Sequence, residues 1–150
     1  MAIFSGSVTG PAPASASPIV DLEAPIVDSA RLLEFGMSLN AAGGNTTNVG
    51  IGYCANSNSA QSNALSLAAE EITQPSSAKT SIGTAWSIAP LSPTVFFRRA
   101  FWNSVYVNAY VIYTFPRGLS VVQPAGNNLV AWMIAAAVVA NFGAYAVVDE

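Results

Sequence analysis

The run NNLVAWMIAAAVVANFGAYAVVDE, residues 127–150, decides the fold of this chain, because it contains no charged residue before its last two positions. Residues 129–148 are about as many as a helix needs to cross a bilayer. A transmembrane helix, a buried helix and a pair of strands are therefore the three structures to weigh.

Features inside the run favour strands. Asn141 and Gly143 interrupt it, and it ends in Asp149 and Glu150 rather than in the Lys or Arg residues that anchor membrane helices. The pieces LVAWMI and AYAVV are strand-like, ANFG between them is typical of a turn, and PAGNN suits the start of a strand. A buried helix is less favoured, since its N-terminal half would have to be apolar on every face. We expect two closing strands.

The last of these strands is expected to be apolar on both faces. Tyr145 and Val147 would share one face, while Ala144, Ala146 and Val148 share the other, because side chains alternate along a strand. One face would pack against an opposing sheet. The second would be covered by another subunit or by another part of the chain.

Composition indicates one domain with a poorly charged surface. The 150 residues are 52% hydrophobic and only 9% charged, so the polar surface consists mostly of Ser, Thr, Asn and Gln. Such a composition is typical of β-rich proteins in assemblies. With five basic residues and a net charge of -3, the chain lacks the basic stripe that nucleic-acid binding requires.

The sequence carries no catalytic signature. It has no histidine and one cysteine, Cys54, which excludes Ser/His/Asp or Cys/His catalysis and a Cys/His zinc site within this chain. The carboxylate pairs 70–71 and 149–150 are adjacent in sequence, so on a strand their members point to opposite faces. We expect no enzymatic activity, no cofactor and no metal, and we expect Cys54 to be buried.

The N-terminal residues predict an extended arm over residues 1–29, ahead of a single β-domain over residues 30–150. The segment TGPAPASASP, residues 9–18, contains three prolines and too few large apolar groups to fold by itself. We expect that residues 1–20 are not a secretory signal, because they have no basic region and no continuous apolar core. Ile3, Phe4 and Val8 at the tip would either dock on a neighbouring subunit or belong to a frayed terminus.

From Ala30 onward, short β-branched and aromatic segments alternate with Gly/Pro/Asn turns. The alternation of Leu33, Phe35 and Met37 favours a strand, and ALSLAAEEITQP, residues 64–75, is either a short helix or a strand that ends at 70–71. About eight such strands predict an all-β fold, an antiparallel β-sandwich or jelly roll.

The adjacent pair Arg98 and Arg99 is conspicuous in a chain with so few charges. On a strand one arginine would face a partner or the interior, and a partly buried arginine needs a carboxylate or carbonyl group. The acidic residues Asp21, Glu23, Asp28 and Glu34 are candidates, within or between subunits. An ordinary solvated edge strand is the alternative.

Two segments carry a resemblance. FPRGLSVVQPAGNNLVAWMIAAAVVANFGAYAVVDE resembles the closing strands of small jelly-roll proteins of tailed-bacteriophage particles, and GIGYCANSNSAQSNALSLAAEEITQ is similar to the middle of that class. The resemblance implies a capsid cement or decoration protein, commonly a homotrimer. Its partners would be the major capsid protein and copies of itself, with no nucleic acid and no membrane, and it would lie on the capsid surface of the virion after synthesis in the host cytoplasm.

Some relatives of that class are fibre or tail components, which leaves a second interpretation open. A carbohydrate-binding sandwich would stack exposed aromatic side chains on sugars. The candidates are Trp86, Trp102, Tyr106 and Tyr110. The partner-binding residues expected from the arm, the charged segments and the last strand are Ile3, Phe4, Val8, Asp21, Glu23, Arg98, Arg99, Tyr145 and Val147.

Overall fold

The computed structural model describes residues 2–11, 14–25, 30–40, 46–71, 77–103, 109–122, 127–135 and 141–150. Within these ranges the chain is all-β and contains no helix. The prediction of an all-β fold is confirmed. No helix among the described residues has the length and apolar character needed to cross a membrane.

The described residues contain twelve strands. They are β1 (Ile3–Pro11), β2 (Ser17–Glu23), β3 (Arg31–Asn40), β4 (Thr46–Tyr53), β5 (Ala60–Gln61), β6 (Leu65–Ala69), β7 (Ser77–Gly83), β8 (Trp86–Ile88), β9 (Arg98–Asn103), β10 (Ala109–Ser120), β11 (Leu129–Ala135) and β12 (Asn141–Asp149).

Ten strands form one antiparallel sheet in the order β10-β3-β12-β1-β6-β7-β2-β11-β4-β9, and β5 pairs with β8 in a small second sheet. The terminal strands β9 and β10 come into contact, so the large sheet curls into a nearly closed barrel. Closure of this kind leaves little unpaired strand edge.

The barrel encloses one core, and alternation along the strands decides which side chains enter it. In β12, Phe142, Ala144, Ala146 and Val148 are buried while the residues between them are partly exposed. In β3 and β4 the core receives Phe35, Met37, Val49 and Ile51. Burial of these side chains is the main force that holds the barrel together.

Strand β11 is buried on both faces. Leu129, Ala131 and Met133 face the core, while Val130 and Trp132 form a second cluster on the outer side with Cys54, against which Phe96 packs. The cover on this outer side is the chain itself, through the segment between β8 and β9. Pro93 in that segment lies so close to Gly52 that a Cβ there would be 2.8 Å from Pro93 Cβ.

The structure does not show the predicted extended arm. Residues of β1 pair with β12 along its whole length, from Ile3 opposite Asp149 to Pro11 opposite Asn141, and β2 lies between β7 and β11. Proline is tolerated in β1 because Pro11 is its last residue. Residues 26–29, the end of the predicted arm, lie outside the described residues.

Three local predictions meet different outcomes. The turn predicted at ANFG is wrong for Asn141, Phe142 and Gly143, which lie in β12, because Phe142 is drawn into the core. The segment from Leu65 forms a strand that ends before Glu70, not a helix. The expected burial of Cys54 is confirmed, and its thiol donates a hydrogen bond to the backbone oxygen of Asn56 at 2.9 Å.

Candidate functional site

Four neighbouring strands, β10, β3, β12 and β1, present a continuous outer face. Residues directly opposite one another in adjacent antiparallel strands share a face, so the strand register fixes its rows. One row runs Ser7, Tyr145, Gly36, Ile112, and the next runs Thr9, Gly143, Ser38, Tyr110. In these rows the middle strands contribute Gly36, Ser38, Gly143 and Tyr145, none of which is charged. Ile112 and Tyr110 lie beside them on β10.

Tyr145 lies flat across the middle of this face. A Cβ on Gly36 would lie 1.9 Å from Tyr145 Cε1, so the ring occupies the space that any side chain at position 36 would need. The Tyr145 hydroxyl donates a hydrogen bond to Glu34 Oε1 at 2.6 Å. Burial and the nearby Glu34 carboxylate raise the pKa of Tyr145 to about 12, so the tyrosine stays neutral and keeps this hydrogen bond.

Beside the Tyr145 ring is an apolar depression of about 330 Å³, which we call the outer groove. It is bordered by Ser7, Thr9, Ser38, Tyr110, Ile112 and Tyr145. Tyr110 is 71% exposed and Ile112 is 47% exposed. On β9, which approaches β10 at the seam of the barrel, Phe101 is 67% exposed. This part of the surface is rich in exposed apolar side chains.

A second feature is a buried polar network on the outer side of β2. Gln61 Nε2 donates hydrogen bonds to Asp21 Oδ1 at 2.8 Å and to the Asp21 backbone oxygen at 3.0 Å. Its backbone N–H bonds Glu23 Oε1 at 2.9 Å, and its side-chain oxygen accepts from Ser81 at 2.9 Å. The small β5–β8 sheet is attached to the barrel through these bonds.

Burial makes both carboxyl groups of this network harder to ionise, which raises their pKa values. Asp21 is fully buried, and burial raises its pKa to about 7, although the N–H groups of Trp86 and Gln61 limit the rise. Asp21 Oδ2 and Trp86 Nε1 are both buried, and neither makes a hydrogen bond with the described residues. Burial also raises the pKa of Glu23.

Two carboxyls held this way do not form a catalytic pair. Asp21 has no exposed surface, so a substrate cannot reach it. A polar cavity of about 350 Å³ lies beside Glu23, Ser59 and Lys79, yet Asp21 is not among its lining residues. Within the described residues, no group of three or more His, Cys, Asp or Glu residues is arranged to hold a metal. The network is placed to attach β5–β8 to the barrel.

The arginine pair lies on β9, at the edge of the sheet. Arg98 is exposed, lies 5.7 Å from the centre of the Phe115 ring and donates a hydrogen bond to its neighbour's backbone oxygen at 2.9 Å. Arg99 lies 4.9 Å from the centre of the Phe96 ring. Cation–π contacts of this kind hold guanidinium groups on aromatic faces.

The predicted acidic partners of the arginines are occupied elsewhere. Asp21 and Glu23 bond Gln61, and Glu34 bonds Tyr145. Asp28, the remaining candidate, lies outside the described residues. Contact with a second subunit at Arg98 and Arg99 stays a prediction.

The structure separates the other predicted partner-binding residues into two groups. Phe4 is buried in the core, whereas Val8 packs against the core and also lines the outer groove. Ile3, Tyr145 and Val147 share the outer face and are partly exposed. Sequence reasoning missed Ile112 and Ser38, because the pairing of β10 with β3 that brings them together joins segments about 70 residues apart.

Of the aromatic residues considered for sugar stacking, Tyr110 is the exposed one among those described. Trp86 is partly buried against the Asp21 network. The side chain of Trp102 and the whole of Tyr106 lie outside the described residues.

Comparison of the chain with protein-family models, with curated proteins and with solved structures finds no match. The outer face therefore has to be interpreted from its own geometry.

Proposed function

We propose that this chain is a non-enzymatic structural subunit of a bacteriophage capsid: a jelly-roll cement or decoration protein that assembles as a homotrimer. The exposed apolar face around the outer groove is the observation that carries the proposal. The resemblance of the closing strands to small phage jelly rolls supplies the kind of assembly.

The strand order supports the jelly-roll part. If the four strands β5, β6, β7 and β8 are set aside, eight strands remain. Counted along the chain, the first of these pairs with the eighth, the second with the seventh, the third with the sixth, and the fourth with the fifth. These pairs are β1 with β12, β2 with β11, β3 with β10, and β4 with β9. A long hairpin rolled on itself pairs its strands in this way, and a jelly roll of two Greek keys has eight strands. In this interpretation, β6 and β7 fill the gap between the first and second strands.

The outer groove supports a protein partner. Free monomers rarely expose contiguous apolar patches, and such patches mark interaction sites. An ordinary interface buries about 800 Å² on each partner, which is more than the groove alone. Exposed Phe101 on β9 and Tyr110 on β10 extend the apolar surface across the seam, so one interface could include both strands.

The first experiment replaces the exposed apolar side chains next to the groove. In the double variant Tyr110→Ser, Ile112→Ser, the thermal unfolding midpoint should stay close to that of the parent protein, because both side chains are exposed. Sedimentation velocity should show a trimer for the parent protein and a monomer for the variant. Addition of each protein to particles that lack this subunit should give decoration by the parent protein alone.

Leu91→Ser is the matched control. Leu91 is also a large exposed hydrophobic residue, but it lies in the segment before β9, away from the groove. This variant should remain a trimer and decorate particles fully. A double variant that still assembles and still decorates particles would exclude the groove as the interface.

A carbohydrate-binding module of a tail or fibre is the second candidate, and Tyr110 is the observation that favours it. Its exposed ring borders the same groove as the hydroxyl-bearing residues Thr9 and Ser38, and sugars bind between aromatic faces and hydroxyl groups. Glycan-array binding by the isolated protein that Tyr110→Ser abolishes and Tyr110→Phe retains would support this function. Absence of glycan binding together with particle decoration would reject it.

A further inference from the structure

At one end of the same outer face lies a cavity of about 450 Å³, which we call the end cavity. Strand β10 forms one wall, because residues 115–118 bulge out between Thr114 and Leu119. The bulge ends at Gly118, whose φ of 66° is favourable only for glycine, and a Cβ there would lie 2.7 Å from Arg31 Cβ. The wall therefore stands directly against Arg31.

The end cavity concentrates charge in a chain that has little. Its lining includes Arg31, Arg117, Asp149 and Glu150, which are four of the chain's 13 acidic and basic residues. Ile3, Leu33 and Pro116 supply apolar walls. Such a combination is typical of sites where a few polar groups orient a ligand and apolar groups hold its body.

The guanidinium groups of Arg31 and Arg117 can still donate hydrogen bonds to a ligand. Arg31 Nη1 donates a hydrogen bond of 3.2 Å to the backbone oxygen of Arg117, and both side chains are exposed. In the part of the chain that the structure describes, no ion pair with a carboxylate is recorded for either guanidinium. A guanidinium carries five N–H donors and binds a carboxylate with two of them.

Glu150 and Asp149 differ in the hydrogen bonds that their carboxylates already accept. Glu150 accepts hydrogen bonds from the backbone N–H groups of Lys79 at 2.9 Å and Thr80 at 2.7 Å, and from the Thr80 hydroxyl. Asp149 is 7% exposed, and its Oδ1 is buried with no hydrogen-bond partner. A buried carboxylate oxygen without a donor is costly, which makes Asp149 the acceptor in need of a partner.

We propose that the end cavity binds an apolar α-amino acid residue with a free carboxylate, either as the free amino acid or as the last residue of a peptide chain. Arg31 and Arg117 bind the carboxylate, Asp149 accepts the neighbouring N–H, and Ile3, Leu33 and Pro116 contact the side chain. The two arginines and two acidic residues have no net charge, so a dianionic phosphate is disfavoured relative to this ligand. The site is independent of the outer groove and of capsid assembly.

Binding can be measured from the methyl NMR signals of Ile3 and Leu33 in the intact protein. Titration with leucine and with N-acetyl-leucine should shift these signals saturably, whereas N-acetyl-leucinamide, which lacks the carboxylate, should not. Tighter binding of leucine identifies the free amino acid as the ligand, and tighter binding of N-acetyl-leucine identifies a peptide C-terminus. If neither binds, or if the amide or inorganic phosphate binds as tightly, the proposal is wrong.

Two variants test the assigned roles. Arg117 lies on the exposed bulge. Arg117→Gln should weaken binding of the carboxylate at least about tenfold, as expected for loss of a charge-assisted hydrogen bond. Asp149→Asn should weaken binding of leucine, whose ammonium group it no longer attracts. Arg99→Gln, an exposed arginine on β9, is the control and should bind as the parent protein does. Unchanged binding by Arg117→Gln would overturn the assignment.

Discussion

At the scale of single residues, glycines and buried acids explain features that hydrophobic patterns do not reveal. Gly36 is required because the Tyr145 ring lies on it, and Gly83 is covered in the same way by the side chain of Gln61, whose Cδ would be 2.6 Å from an added Cβ. The sequence shows that position 36 is glycine but not which ring covers it. Sequence reasoning likewise placed Asp21 among partner-binding residues, whereas it lies fully buried beneath β5–β8.

Asp21 makes the stability of the protein depend on pH in an unusual direction. Because its folded-state pKa of about 7 lies above its ordinary value of 3.8, the folded state binds the proton more tightly than the unfolded state does. Its contribution to the free energy of unfolding is therefore present below pH 4 and is lost as the pH rises towards 7. The loss is at most about 1.4 kcal/mol for each pH unit in that window.

The variant Asp21→Asn isolates this contribution. Urea unfolding between pH 4.5 and pH 8 should show that the stability of the parent protein relative to the variant declines as the pH rises towards 7 and then levels off. Glu70→Gln, which removes an exposed carboxylate, is the control and should show a much smaller change. A stability difference between Asp21→Asn and the parent protein that is the same at every pH would rule out an elevated pKa for Asp21.

At the scale of elements, the alternation of apolar residues predicted which segments are strands better than it predicted which strands pair with each other. Sequence patterns indicated the strands at β3, at β11 and in the second half of β12. The predicted division of the last strand into one face with Tyr145 and Val147 and another with Ala144, Ala146 and Val148 is confirmed, although Tyr145 and Val147 are only partly buried. Strand β1 was missed because its Ser and Gly residues have little strand propensity of their own and because the Pro/Ala/Ser segment that follows it favoured an extended arm. Its partner β12 lies at the opposite end of the sequence, so pairing rather than composition makes it a strand.

Because β1 belongs to the barrel, its core residue should matter for folding. Phe4 is 2% exposed, and Phe4→Ala should lower the free energy of unfolding by about 3–5 kcal/mol, as measured by urea titration. Ser5→Ala, one residue further on the outer face, is the control and should change it by less than about 0.5 kcal/mol. Parent-like stability of Phe4→Ala would restore the interpretation of residues 1–29 as a detached arm.

The same double-sided apolar pattern is resolved differently in the two closing strands. The outer side of β11 is covered by Phe96 from the chain's own segment before β9. On the outer side of β12, the Tyr145 ring lies over Gly36 of the neighbouring strand β3, and the outer groove lies beside this ring. From the sequence, either another subunit or another part of the chain could cover such a strand. The proposed interface is placed at β12 because the chain's own segment covers the outer side of β11, whereas the outer groove lies beside β12.

At the scale of the whole molecule, the all-β class could be predicted, whereas the near-closure of the sheet could not. Turn residues and β-branched segments indicate where strands lie along the chain. The order of the strands around the barrel depends on pairings between distant segments, such as β2 with β11. The end cavity illustrates the same limit. Arg31, Arg117 and Asp149 come from three strands that only the folded sheet brings together.

The pairing of the chain's two ends has a kinetic consequence. Ala2 and Glu150 exchange backbone hydrogen bonds of 2.8 and 3.0 Å, and β12 lies between β1 and β3. During synthesis, β1 and β3 therefore remain without their shared partner until β12, which follows both of them far along the sequence, has been made. Contacts so distant in sequence make folding slow and leave unpaired strand edges exposed to aggregation in the meantime. For the capsid subunit proposed above, the speed at which β12 finds its place between β1 and β3 would limit how fast usable subunits accumulate.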